Sequence, residues 1–159
     1  MTDQDREFMS RAIELAQAGV DDGLGGPFGC VIAKDGRIVG EGCNRVTSTN
    51  DPTAHAEVVA IREACKALGS FQLDGCTVYT SCEPCPMCLG AVYWARADRI
   101  FIACSRTDAA AAGFDDAFIY DELCSGDFAA RKVPISSMML DEGLAVFKSW
   151  IAKPDKVRY

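Results

Sequence analysis

The chain carries a single histidine, His55, and it stands in His55-Ala56-Glu57, thirty residues ahead of Pro84-Cys85-Pro86-Met87-Cys88. An imidazole and two thiolates are zinc ligands by type, and three protein ligands on a metal that prefers four leave one position open for water. His55, Cys85 and Cys88 are therefore the candidate ligands, and Glu57 the candidate general base. Two thiolates and a neutral imidazole bring the Zn²⁺ unit near net zero charge, so a bound water is acidified yet still gains from a nearby carboxylate. The expected cofactor is one Zn²⁺ per subunit with a water or hydroxide in the open position.

Cys82 extends the pattern to Cys82-x-x-Cys85-x-x-Cys88, which admits two other readings. An iron-sulfur run of the ferredoxin type would place a fourth Cys, followed by Pro, after three more residues. Val92-Tyr93 occupies that place. A closed structural zinc site would use His55 with all three cysteines and be catalytically silent. Glu83, directly before Pro84, is biased toward extended backbone, which should turn Cys82 away from the metal.

The elements that must position these groups are legible in outline. Asp51-Pro52 followed by residues 53–68 and Gly69 reads as a helix with an Asp cap, Pro in the first position and Gly past the end. His55 and Glu57 then fall in its opening turns. Pro84 and Pro86 suit the start of a helix running to Ala95, on which Cys85 and Cys88, three apart, share a face. Helix N-termini favour anions and so help keep both sulfurs deprotonated.

Around these motifs helices and strands alternate. Residues 3–18 carry Phe8, Ala12, Leu15 and Ala16 at helical spacing; residues 29–33 and 38–42 flank Lys34-Asp35-Gly36-Arg37, a hairpin signal. Residues 77–80 and 100–103 read as strands, 116–123 as a short helix and 136–140 as a weaker strand. Residues 141–152 form an amphipathic helix with Leu144, Phe147, Trp150 and Ile151 inward. The fold class expected is α/β, a sheet flanked by helices, with the site where strands end and helices begin.

Composition bounds the rest. With 159 residues, 49% of them hydrophobic, the chain can bury one core, and no stretch approaches the roughly 20 apolar residues of a membrane helix. Nine cysteines and an acidic start, Met1-Thr2-Asp3-Gln4-Asp5, point to a reducing, cytoplasmic setting. The formal charge of −7, and Arg131-Lys132 as the one adjacent basic pair, argue against nucleic acid as partner.

The text around the zinc motifs is more specific than the motifs. Asn50-Asp51-Pro52-Thr53-Ala54-His55-Ala56-Glu57 and Thr80-Ser81-Cys82-Glu83-Pro84-Cys85-Pro86-Met87-Cys88-Leu89-Gly90-Ala91 resemble the cytidine deaminase superfamily. Gly25-Gly26-Pro27-Phe28-Gly29, Ala112-Gly113-Phe114-Asp115-Asp116-Ala117-Phe118-Ile119-Tyr120 and the final Tyr159 are similar to its bacterial guanine deaminase branch rather than to tRNA adenosine deaminases. The resemblance implies a three-layer sandwich with a five-stranded mixed sheet, formed by residues 1–159 as one zinc-dependent deaminase domain. It implies hydrolytic deamination of guanine to xanthine and ammonia, with Glu57 moving the protons. It further implies Phe28 as a stacking face, Asn44 and the Ala56 backbone as purine contacts, and Asp116 as a catalytic contact to the departing amino group. Finally it implies a homodimer with an exchanged C-terminal segment, the irregular tail 154–159 packing on the partner subunit so that Tyr159 closes the partner's site.

Each implied role has an ordinary competitor. Phe28 can anchor a core, Asn44 can serve a turn, Asp115 or Asp116 can cap the short helix, and a terminal Tyr159 frays by default. Other functions on the same residues are guanosine deamination, tRNA adenosine deamination and a non-catalytic zinc-stabilised binding module. Base, nucleoside and oligonucleotide offered side by side separate the first two, and metal retention on Cys82→Ser separates the third.

Overall fold

A computed structural model describes residues 1–158; Tyr159, and with it the expectation that this residue closes a site, lies outside the described residues. Residues 1–116 form one compact unit and the chain from Ala117 a second.

In the first unit, helix α1 (Asp3–Asp21) leads into strands β1 (Gly29–Lys34) and β2 (Arg37–Cys43). The turn between the strands has Asp35 at φ 49° and Gly36 at φ 73°. Positive φ at both central residues gives the twist that a two-residue hairpin needs, as Asp-Gly implies. A short helix α2 (Val46–Thr49) precedes α3 (Ala56–Leu68); β3 (Cys76–Cys82), α4 (Pro86–Ala95), β4 (Arg99–Cys104) and α5 (Arg106–Ala111) follow.

The strands lie in the order β2-β1-β3-β4, β1 antiparallel to both neighbours and β3 parallel to β4. The sheet is mixed, as expected, but has four strands among the described residues rather than five. The expected strand over 136–140 is absent: residues 134–139 are irregular, and Met139 at φ 55° turns out of extended backbone before Leu140 opens a helix.

Alternation along β1 builds three layers. Cys30 and Ile32 face α3 and α4, in a core with Ala56, Ala60, Ala64, Val78 and Val92. Val31 and Ala33 face α1, where Ala12 and Tyr79 join Phe8 and Phe101. The small residues of α3 and the glycines of β2 let helix and strand backbones approach closely. A Cβ on Gly42 would overlap the Ala56 carbonyl oxygen, and one on Gly40 the Ala60 carbonyl oxygen. The α3 N-terminus is thereby seated against the sheet.

The second unit holds α6 (Ala117–Cys124) and α7 (Leu140–Ala152). The Lys132 N–H donates to the Glu122 carboxylate, and the Arg131 guanidinium sits 4.5 Å from the Phe128 ring centre. The amphipathic helix forms where expected, but its apolar side chains are exposed rather than buried: Phe147 is 67% exposed and Ile151 69%, with Leu144 and Trp150 also exposed. No described residue from 117 onward is fully buried. Across the described residues no helix is long and apolar enough to cross a membrane.

Candidate functional site

Two helix N-termini converge on the site. His55 is the N-cap residue of α3, extended at φ −68° and ψ 155°, and Cys85 is the N-cap residue of α4, with Pro86 following. Neither cap makes a side-chain hydrogen bond to its helix. Both side chains are turned toward each other instead. The expected start of α3 at Asp51-Pro52 is corrected here. The Asp51 carboxylate accepts from the N–H and hydroxyl of Thr53, at 2.8 and 2.7 Å, and this local turn delays the helix until Ala56.

His55 Nδ1 lies 3.6 Å from Cys85 Sγ and 3.5 Å from Cys88 Sγ. Zinc bonds of about 2.1 Å to nitrogen and about 2.3 Å to sulfur at a tetrahedral angle require about 3.6 Å between the ligand atoms. The three groups fit a zinc ion, and they stand together as one potential metal cluster. Cys82 is not among them. Its Sγ lies 3.5 Å from the Ser105 carbonyl oxygen, and burial raises its thiol to about 11. A closed four-ligand site is not formed.

The electrostatics of these groups follow from crowding. Cys85 is lowered to about 4, first by the hydrogen bond from Cys88 and then by His55, whereas Cys88 is raised by its bond to Cys85 and by burial. The pair holds one thiolate and one thiol. His55 is raised, chiefly by its bond to Cys85.

Glu57, in the first turn of α3, is 6% exposed. Burial raises its carboxyl above the ordinary range, with partial relief from hydrogen bonds to its own backbone and to Cys88. A buried carboxylate poised upward can both take and return a proton.

These groups open onto a cavity of about 290 Å³ lined by His55, Glu57, Cys85, Phe28, Asn44 and Asp116, among others. Cys88 and Ala56 are fully buried behind it. The Asn44 amide oxygen accepts from Gly26 and Val46 N–H groups, each at 3.2 Å. With its oxygen committed twice, the group left to meet a ligand is the amide NH₂. Phe28 does two things: it packs against the core beneath α3 and lines the cavity. Asp116 is raised by burial and by the Cys85 charge.

Several lining or supporting groups escaped the sequence reading. The Thr80 hydroxyl lies 3.3 Å from Glu57 Oε1 and 3.0 Å from the Cys82 carbonyl oxygen, with one proton to give to either. Strand alternation alone would have placed Thr80 on the Val78 face, toward α3. Phe114 lies perpendicular to Phe28, ring centres 5.0 Å apart. Arg106 and Ala109 also line the cavity; they sit on α5, which carried no distinct sequence signal.

An α/β/α sandwich with histidine and cysteine ligands at two helix N-termini and a buried glutamate beside them defines a zinc-dependent deaminase. The chain belongs to the cytidine and deoxycytidylate deaminase zinc-binding family, which matches residues 2–104.

Beyond that region it is similar to guanine deaminase of Bacillus subtilis strain 168, 57% identical over 152 residues, covering 96% of this chain and 97% of the relative. The X-ray structure of guanine deaminase from Bacillus subtilis superimposes with a TM-score of 0.95 at 55% identity, covering 100% and 99% of the two chains. A tRNA-specific adenosine deaminase of Agrobacterium fabrum is 43% identical over 95 residues, 59% of this chain and 61% of that one.

Proposed function

We propose that this protein is a guanine deaminase, hydrolysing guanine to xanthine and ammonia in purine salvage or catabolism. The observation that carries the reading is a likeness to guanine deaminase that runs nearly end to end, whereas the likeness to a tRNA deaminase covers 59% of the chain. The net charge of −7 also disfavours a phosphate-rich polymer.

His55, Cys85 and Cys88 would hold the zinc, one ion per subunit. When bound, the metal acidifies water to a nucleophile at neutral pH. Glu57 takes the proton from the water that attacks C2, passes it to the ring nitrogen beside C2, and later delivers a proton to the departing amine. Asp116, lining the same cavity, contacts that amino group. Asn44 presents its NH₂ to an acceptor on the purine, Phe28 stacks on the rings, and the Ala56 backbone N–H, in the first turn of α3 where intrahelical bonds do not reach, supplies a further contact.

The active form is a cytoplasmic homodimer built from one deaminase domain per chain, residues 1–159. Each C-terminal segment is exchanged so that the tail 154–159, with Tyr159, completes the partner's site. The apolar exposure of α7 supports a partner surface.

Ammonia release from zinc-loaded protein tests the reading, with guanine, guanosine, cytidine, adenine and a tRNA anticodon stem run beside Glu57→Gln. Turnover of guanine, abolished in a variant that keeps its zinc, is the expected result. Turnover of guanosine alone would move the substrate to the nucleoside, and silence on every substrate would leave only the zinc-stabilised binding module.

A further inference from the structure

We infer that Phe114 is a positioning residue for purine recognition, holding the Phe28 ring in the plane on which the base stacks. The inference rests on the reading of the cavity as a guanine site.

Phe28 is half-buried: part of it packs against the core, and it lines the cavity. Phe114 constrains its ring: the two rings meet at 85° with centres 5.0 Å apart, the perpendicular arrangement that the quadrupoles of two aromatic rings favour. Gly26 lies in the angle between them. A Cβ there would stand 3.1 Å from Phe28 Cε2 and 3.2 Å from Phe114 Cε1, closer than either ring accepts without moving. The two rings and the glycine are thus one fitted unit.

Phe114 is placed for this by local backbone. Gly113 at φ 93° reverses the chain after α5, and the Phe114 N–H donates to the Ala109 carbonyl oxygen at 3.0 Å. Core packing does not account for the residue, because it is 45% exposed. Both rings line the cavity that contains Glu57 and His55. Two fused rings offer a stacking platform more area than one, so a fixed Phe28 plane favours purines over pyrimidines.

A second route of action is distinguishable. Phe114 is followed by Asp115 and Asp116, which also line the cavity, so loosening Phe114 could disturb the carboxylate at the departing amine instead. That route would lower kcat. Loss of the stacking plane would weaken binding.

The test compares wild type with Phe114→Ala, Phe114→Leu, Phe114→Tyr and Gly26→Ala, all zinc-loaded, by steady-state kinetics on guanine and by the inhibition constant of the product xanthine. For Phe114→Ala and Gly26→Ala, KM and the xanthine constant are expected to rise together by about three- to tenfold, the range of one aromatic pair, with kcat within about twofold and zinc content unchanged. Phe114→Tyr restores both constants, and Phe114→Leu, which keeps bulk but not the ring, follows alanine. A fall in kcat with both constants unchanged would assign Phe114 to the Asp116 route and overturn the inference, as would wild-type behaviour of Phe114→Ala. Failure of the wild type to turn over guanine would instead remove the proposed function, and this inference with it.

Discussion

Thr80 and Glu57 meet across the packing of β3 on α3, hydroxyl oxygen to carboxylate oxygen at 3.3 Å, while the same hydroxyl lies 3.0 Å from the Cys82 carbonyl oxygen. A hydroxyl has one proton and can also accept. It donates to Glu57 when the carboxylate is ionised; when Glu57 is protonated it accepts from it and donates to Cys82. Thr80 therefore matches both protonation states that a proton-carrying Glu57 must visit. Thr80→Val is expected to lower kcat by about tenfold, the cost of one hydrogen bond to a charged group, with KM and zinc content near wild type. Thr80→Ser should retain most of the activity. Equal kcat in the valine variant would remove this role.

The raised carboxyl of Glu57 gives a pH signature. In the proposed mechanism Glu57 must be ionised to take the first proton, so kcat/KM falls as pH drops through its folded-state value, which burial places above the ordinary carboxylate range. The acid limb of the profile is expected above that of a free glutamate. In Thr80→Val, which removes a donor to the ionised form, the limb moves to still higher pH. Profiles recorded with guanine on both proteins check the direction.

Zinc binding has its own proton balance. With Cys85 lowered to about 4, that sulfur is already a thiolate at neutral pH, whereas Cys88 is raised and keeps its proton. Zinc takes two thiolates and a neutral imidazole, so loading expels at least the Cys88 proton. Displacing a proton means that affinity strengthens as pH rises, by about tenfold per unit for each proton released. Zinc titration of the metal-free protein in weak buffer with a pH indicator should show at least one proton per zinc. Release of none would contradict the one-thiol, one-thiolate pair.

The zinc pattern was legible because its chemistry depends on residue type and spacing: His55, Glu57, Cys85 and Cys88 were read from the chain, and the structure gathers the three ligand atoms. The hairpin at Asp35-Gly36 was legible because its turn demands positive φ. The start of α3 was misplaced because Asp51 caps a turn with the same side-chain bond that would cap a helix. The strand over 136–140 was misread because a short apolar run, Met138-Met139-Leu140, carries no periodicity that separates a strand from a helix entry. Phe114 was visible only as part of a resemblance, since its partner Phe28 lies far away in sequence and no spacing rule links them.

Glycine placement gives a stability contrast. Gly42 lies where β2 meets the first residue of α3, and a methyl group there would overlap the Ala56 carbonyl oxygen. Gly42→Ala must push α3 outward and should cost about 1–3 kcal/mol, the usual range for overpacking. At this chain length that lowers Tm by several degrees, about 2–4 °C per kcal/mol. Because His55 and Glu57 ride on the displaced end, zinc affinity falls as well. Gly143, inside α7, has open space where a Cβ would stand. Gly143→Ala should stabilise by about 0.5–1 kcal/mol through helix propensity alone. Thermal unfolding of both variants, with zinc content measured by metal analysis, tests the pair.

Exposure along α7 leads to the last prediction. Val146, Phe147 and Ile151 are 70%, 67% and 69% exposed, and Leu144 and Trp150 lie on the same helix with exposed surface of their own. An apolar helix surface of this extent is costly to leave in water, at roughly 25 cal/mol per Å². In the proposed dimer it is covered by the partner subunit. Sedimentation should therefore give the mass of two chains, and Phe147→Asp, which adds a charge to the covered surface, should shift the species toward one chain. If the exchanged tail completes the partner's site, as proposed, guanine turnover should fall in parallel with dimer content while each chain keeps its zinc. A wild-type protein that sediments as a single chain and turns over guanine would show that α7 needs no partner and that the site is complete within one subunit.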